Sequence, residues 1–174
     1  MTPLHSIRLM MRLIPLLFLS VFMISGCSRT TAFDFFKMDT EHERAVENMK
    51  TGTIVRSFET EAILSTIYLN HVYPEKYKDG EHFFVALYSR EDIRLYFKSG
   101  LNNNKYNFTC NGEKPIESRE LKPGDELRRL MPITNEWNRY YYVSFPKQHT
   151  ETLDLVLESG LEQKVTISYR IDEE

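Results

Sequence analysis

Apolar and polar residues alternate with period two over most of the chain beyond Thr53. Val165, Ile167, Tyr169 and Ile171 alternate with Lys164, Thr166, Ser168 and Arg170, and Leu153, Leu155 and Leu157 alternate with Asp154, Val156 and Glu158. Joined through Ser159-Gly160, these two runs predict a hairpin. Tyr141, Val143 and Phe145 alternate with Tyr140, Tyr142 and Ser144 until Pro146 ends the run. Ile93, Leu95 and Phe97 alternate with Arg94, Tyr96 and Lys98. Each run predicts a strand that buries one face and wets the other.

Two further runs, Ala62–Leu69 and Phe83–Tyr88, are apolar almost throughout, as strands covered on both faces are. The first has a length compatible with a helix, but Ile67 and Tyr68 favour a strand. Between them, His71–Gly80 reads as a connection, with one helical turn starting at Pro74. Tyr106, Phe108 and Cys110 form another alternating run, closed by the hairpin signal Asn111-Gly112. Lys122-Pro123-Gly124-Asp125 predicts a type II turn. Upstream, Thr40 followed by Glu43 is a capping-box pattern, and a helix is expected from there to Lys50, with Gly52 as its stop and Ala45, Val46 and Met49 as its apolar stripe.

About seven or eight strands with regularly spaced turns predict a mainly β chain, an antiparallel β-sandwich of immunoglobulin-like architecture preceded by a short N-terminal helix, with a small barrel as the alternative. The Cys–Trp–Cys signature of antibody domains is absent, so the expectation concerns architecture alone.

The N-terminal residues follow a different logic. Arg8 and Arg12 precede an apolar run from Leu13 to Ile24, which is of secretory length and shorter than a membrane span. Pro15, Gly26 and the polar Ser28-Arg29-Thr30-Thr31 weigh against a permanent transmembrane anchor. The run ends in Ile24-Ser25-Gly26-Cys27, which resembles the lipobox of bacterial lipoprotein precursors. That resemblance implies cleavage between Gly26 and Cys27, a diacylglycerol on the Cys27 sulfur, and acylation such as palmitate on the new amine. Ser28, where inner-membrane lipoproteins carry aspartate, implies the outer membrane with the domain in the periplasm. An ordinary cleaved signal and an uncleaved anchor are the alternatives. The chain then divides into a signal peptide (1–26), a lipidated tether (27–38) and a helix-plus-sandwich domain (39–174). The tether reaches ~35 Å when extended and carries Phe33, Phe35 and Phe36, which are expected to dock on the domain rather than at the bilayer or on a partner.

Composition narrows the function. The net charge is −3, and loss of Arg8 and Arg12 makes it −5. Such a chain has no global attraction for nucleic acid, and its membrane association is expected to come from the lipid. With Cys27 modified, Cys110 is the sole thiol, so no intramolecular disulfide is possible. Cys110 reads as a half-buried strand residue, against an intermolecular bridge or a reactive site. There is no Gly-rich phosphate loop, nucleophile elbow, His-Glu-x-x-His or Cys-x-x-Cys motif. His42 lies between two glutamates, but neighbouring helix residues point apart, and no metal or other cofactor is expected. His71, His82 and His149 are scattered, and Asn107-Phe108-Thr109 is read as a chance glycosylation tripeptide.

The one cluster singled out is Glu136-Trp137-Asn138-Arg139-Tyr140-Tyr141-Tyr142, because Trp, Tyr and Arg are enriched at binding hot spots. Trp137 with Tyr140, Tyr142 and Tyr96 is the candidate partner surface, and the competing reading has these rings filling the sandwich. The expected function is non-catalytic binding or assembly with another envelope protein. A small cell-wall or carbohydrate hydrolase using Glu136 and His149, and a periplasmic ligand carrier, are the alternatives.

Overall fold

The structure, a computed structural model, describes residues 40–90, 100–101, 105–130, 132, 134–160 and 163–171. The signal peptide, lipobox and tether, and the strand expected at Ile93–Phe97, lie outside the described residues. In chain order the elements are α1 (Thr40–Glu47), β1 (Met49–Arg56), β2 (Glu59–Tyr68), α2 (Leu69–Val72), β3 (Glu81–Ser89), β4 (Tyr106–Cys110), β5 (Glu117–Glu120), a 3₁₀ turn (Glu126–Leu130), β6 (Asn138–Phe145), β7 (Thr152–Ser159) and β8 (Lys164–Arg170). The fold is mainly β. A five-stranded antiparallel sheet in the order β1-β2-β3-β6-β5 packs on a three-stranded antiparallel sheet in the order β4-β7-β8.

The period-two residues meet between the sheets. Leu64, Phe83, Val85, Leu87, Tyr141, Val143 and Phe145 from one sheet interlock with Phe108, Leu153, Leu155, Leu157 and Tyr169 from the other. Removing such a ring or branched side chain from water stabilises the fold by roughly 1.5–3 kcal/mol. A second core lies on the opposite face of the larger sheet. There Ile67, Phe84, Ala86 and Tyr140 are covered by Ala45 of α1, Leu69 and Val72 of α2, and Leu121 and Leu130. β2 and β3 are thus buried on both faces, which is why their sequences are apolar without alternation.

The β7–β8 hairpin forms as expected, with Leu155 opposite Ile167, and β6 stops before Pro146. Pro123-Gly124 forms the expected turn: Gly124 has φ +96° and the Asp125 N–H donates to the Lys122 carbonyl at 3.1 Å. Three expectations need correction. The helix starting at Thr40 ends at Glu47 and not Lys50, because Met49, Lys50 and Thr51 pair with Ile67, Thr66 and Ser65. Gly52 is not a helix stop but a point of close approach between the sheets, where a Cβ would collide with Val165 of β8. Beside it Lys50 Nζ donates to the Ser168 carbonyl at 2.5 Å and lies 4.7 Å from the Tyr169 ring centroid, tying β1 to β8. The helical turn before β3 is Leu69–Val72, ahead of Pro74 rather than started by it.

The Asn111-Gly112 turn exists, with φ +49° and +85°, but closes only the single bridge Cys110–Glu113. Beyond it the chain leaves the smaller sheet and becomes β5, the edge of the larger one. The β1–β2 hairpin turns through Ser57 and Phe58, at φ +51° and +65°. Two successive left-handed residues are what Asn-Gly normally supplies, and each side-chain-bearing residue forced there costs roughly 1–2 kcal/mol.

Candidate functional site

The start of β6 is built by one asparagine. Asn135 Oδ1 accepts the backbone N–H groups of Trp137 at 3.1 Å and Asn138 at 2.9 Å, a side-chain-closed turn that launches the strand. From below, the Tyr140 hydroxyl accepts the Asn135 N–H at 2.9 Å and donates to its carbonyl at 3.2 Å. The loop is therefore held at both ends of one residue. Trp137, the only tryptophan, stands 61% exposed.

Beside it lies an open groove of about 660 Å³, with Tyr140 and Leu121 among its lining, Pro123 and Trp137 as apolar surface, and Arg128 and Glu136 as charges. The Arg128 guanidinium sits 4.4 Å from the Tyr140 ring centroid, an arrangement that holds a cation on an aromatic face. Arg139 and Glu120 form a longer pair at 3.6 Å. Aromatic and proline surface beside hydrogen-bonding and charged groups is the composition of a recognition groove.

Tyr140 and Tyr142 do not stand out beside Trp137 as exposed rings. Tyr140 is 2% exposed and belongs to the second core, so it supports the groove from beneath instead of meeting a partner with its full ring. Tyr142 is half-buried and lines a neighbouring groove of about 580 Å³ with Tyr73, Tyr77 and Arg119. Its hydroxyl is 2.7 Å from His82 Nδ1, and Arg119 lies 5.6 Å from its ring centroid. Only Trp137 among the expected surface residues is exposed; Tyr96, Gly26 and Cys27 lie outside the described residues. Strand parity assigned these side chains correctly to the face away from the inter-sheet core, but parity does not register that short helices cover that face.

The catalytic pair considered from the sequence does not converge. Glu136 precedes β6 and His149 follows it, so the length of the strand, ~25 Å, separates them. Cys110 is fully buried, and burial first, then the carboxylates of Glu81, Asp154 and Glu113, push its thiol up to about 12. It is neither half-buried nor positioned to bridge two chains. Among the described residues, no three His, Cys, Asp or Glu side chains are grouped to hold a metal ion.

The other end of the larger sheet carries a polar cluster that sequence reasoning missed. Glu81, 3% exposed, accepts the Tyr68 hydroxyl at 2.5 Å and the Gln148 backbone N–H at 2.9 Å. Asn70 Nδ2 donates to the carbonyls of Tyr77 and Gly80 at 3.2 and 2.7 Å, and its Oδ1 accepts the His82 N–H at 2.9 Å. His82 Nε2 is 3.0 Å from Asp79 Oδ1. His71, with Nδ1 3.0 Å from Asn48 Oδ1, packs edge-on to Tyr68 at a centroid distance of 4.5 Å. An open groove of about 750 Å³ runs over this cluster. Glu81 has both oxygens engaged, so its chemistry is that of a strand-end staple. The only sequence signal was an acid abutting the apolar run Phe83–Tyr88. The chain matches no family model, no curated protein and no solved structure.

Proposed function

We propose that this chain is a lipid-anchored cell-envelope protein whose sandwich is a non-catalytic binding module, with the Trp137 groove as its docking face. The lipid reading rests on Ile24-Ser25-Gly26-Cys27, and Ser28 favours the outer membrane with the domain in the periplasm. A thioether-linked diacylglycerol plus an amide-linked acyl chain anchors stably, since each buried methylene adds ~0.8 kcal/mol. A rigid domain on a short leash then meets its partner at a raised effective concentration.

The architecture is proposed to be immunoglobulin-like. Its support is the strand order: β2-β3-β6-β5 over β4-β7-β8 follows the constant-type order A-B-E-D over C-F-G, with β1 as an added edge strand. Loops at the ends of such a sandwich are its usual binding elements.

The observation that carries the binding role is the exposed Trp137 ring, held by an asparagine-closed turn beside a groove of about 660 Å³. A large ring kept in water on a fixed loop is the anchor type that dominates interface energetics. A photoreactive residue at Asn138, in living cells, tests it: a discrete protein adduct that disappears with Trp137→Ala is expected, and lipid adducts alone or no adduct would overturn it. Cys27→Ala followed by cell fractionation tests the anchor, with release from the membrane fraction expected.

A further inference from the structure

Asparagine followed by glycine is the dipeptide most prone to lose its side-chain amide, because glycine puts no Cβ in the way when its own backbone nitrogen attacks the asparagine side-chain carbonyl. This chain has one such pair, Asn111-Gly112, in the exposed turn that leaves β4. Nothing lies within 4 Å of where a Gly112 Cβ would stand. The Gly112 N–H makes no hydrogen bond among the described residues. The attacking nitrogen is therefore unencumbered, and water reaches the turn.

The carbonyl under attack is held. Asn111 Oδ1 accepts the Asp154 N–H at 2.9 Å, while Nδ2 donates to the Thr152 carbonyl and to Thr150 Oγ1, both at 3.1 Å, with Gln148 Oε1 at 3.4 Å. A backbone N–H only donates and a carbonyl only accepts, so the amide sits one way round. The side chain is thus an extra rung between β4 and the start of β7, and it fastens the 146–151 loop. That loop continues into the buried polar cluster: Gln148 donates through Nε2 to Glu113 and to the Pro146 carbonyl, both at 3.2 Å, and through its N–H to Glu81 at 2.9 Å. Closing a five-membered ring would turn Asn111 Cγ onto the Gly112 nitrogen and expel Nδ2. Every bond from Nδ2 to the loop must break first or with it.

We propose that Asn111 is a self-modification site gated by this loop: its amide is lost when residues 148–152 let go of it, and the resulting acid cannot take the loop back. The Gly112 nitrogen bonds to Cγ and gives up its proton, and the Cγ–Nδ2 bond breaks, Nδ2 leaving as ammonia. Water then opens the succinimide. Cleavage between Cγ and the ring nitrogen gives aspartate; cleavage between the backbone carbonyl carbon and that nitrogen gives isoaspartate. One water is consumed and one ammonia released, with no oxidation. Aspartate sets oxygen against oxygen at the Thr152 carbonyl and Gln148 Oε1. Isoaspartate lengthens the main chain by one carbon inside a turn closed by the single Cys110–Glu113 bridge. The change is one-way, and it does not involve the Trp137 groove.

The test incubates the full chain at mildly alkaline pH, folded and in denaturant, and follows aspartate and isoaspartate at position 111 by peptide mapping with mass spectrometry. The folded chain should convert at least ~tenfold more slowly than the unfolded one, the protection that a local opening cost confers. Thr150→Val and Gln148→Ala each remove one partner of Nδ2, leave the dipeptide intact and lie outside both cores. Each should speed conversion of the folded chain and leave the unfolded rate unchanged. Equal rates folded and unfolded, or variants no faster than the native chain, would overturn the gating. Asn111→Asp tests the product: amide hydrogen exchange at Asp154 and Gln148 should quicken at least ~tenfold while Leu155 and Ile167 stay protected. Exchange unchanged at Asp154 and Gln148, or protection lost throughout the strands, would overturn the release of the loop.

Discussion

The two ends of the larger sheet solve the same problem in opposite ways. Where β2 ends and β3 begins, the polar groups are tied to one another: Glu81 takes the Tyr68 hydroxyl and the Gln148 N–H, and Asn70 bonds to Tyr77, Gly80 and His82. Where β1 turns into β2 and β6 begins, Phe58 and Trp137 stand in water. A buried carboxylate is tolerated when it is paired or hydrogen-bonded, so the hydrogen bonds at the first end serve stability. Exposed rings on fixed turns lower no folding free energy, so the second end adds little to stability and leaves its rings open to solvent. The surface end can therefore change without loosening the fold.

Alkali breaks the distinction most severely. Burial, then the Glu81 hydrogen bond and charge, raises Tyr68 well above the usual tyrosine range, while burial pushes Tyr141 and Cys110 up to about 12 from 10.0 and 9.0. A weak acid with a raised folded pKa favours the folded state fully below its unfolded value, and that contribution is lost as pH rises through the folded value. The fold should therefore hold to about pH 9 and be lost progressively toward pH 12. Phenolate absorbance and circular dichroism should change together; completion of the tyrosine titration near its ordinary value with the dichroism intact would contradict this.

Glu81→Ala attacks the closed end alone. It leaves the buried Tyr68 hydroxyl and the half-buried Gln148 N–H without an acceptor and should cost about 2–4 kcal/mol, read from the denaturation midpoint, with Glu81→Gln recovering roughly half. An effect on Trp137 emission before unfolding would contradict the independence of the ends. Ser57→Asn with Phe58→Gly acts on the open end in the other direction. Left-handed backbone relieved at two positions should add about 1–2 kcal/mol of stability. Unchanged or reduced stability would mean that the turn is not strained. The smallest expected effect is Trp137→Ala, within about 0.5 kcal/mol, since the ring is largely exposed. As the only tryptophan it reports directly: its emission should be that of a hydrated indole accessible to quenchers, and should shift to shorter wavelength on occupation of the groove.

The strands with one wet face were legible from the sequence because a single periodicity decides them; β7 and β8 are the plainest examples. The helix end was not, because Met49 and Lys50 continue an acceptable helix locally and become a strand only through Ile67 and Thr66, distant in the chain. Tyr140 shows the same limit from the other side. Alternation places it away from the inter-sheet core, yet Leu121, Leu130 and Ala45 arrive from three different segments to cover that face. Trp137 was legible only as a residue to single out, since its type and neighbours match those of binding hot spots while its exposure depends on the Asn135 turn. The Phe58 turn was not, because Ser-Phe carries no turn signal, and Glu81 was not, because its partners lie 13 and 67 positions away.

The buried thiol has a practical consequence. Cys110 has no exposure and holds its proton well above ordinary pH, so it has neither the access nor the thiolate that oxidants and alkylating reagents require. Under the proposed lipidation of Cys27, no thiol of the folded chain is left open to thiol reagents. A single cysteine installed at position 58 or 138 can therefore carry a spin label or fluorophore without altering the native Cys110, so that occupation of the Trp137 groove can be read from the label.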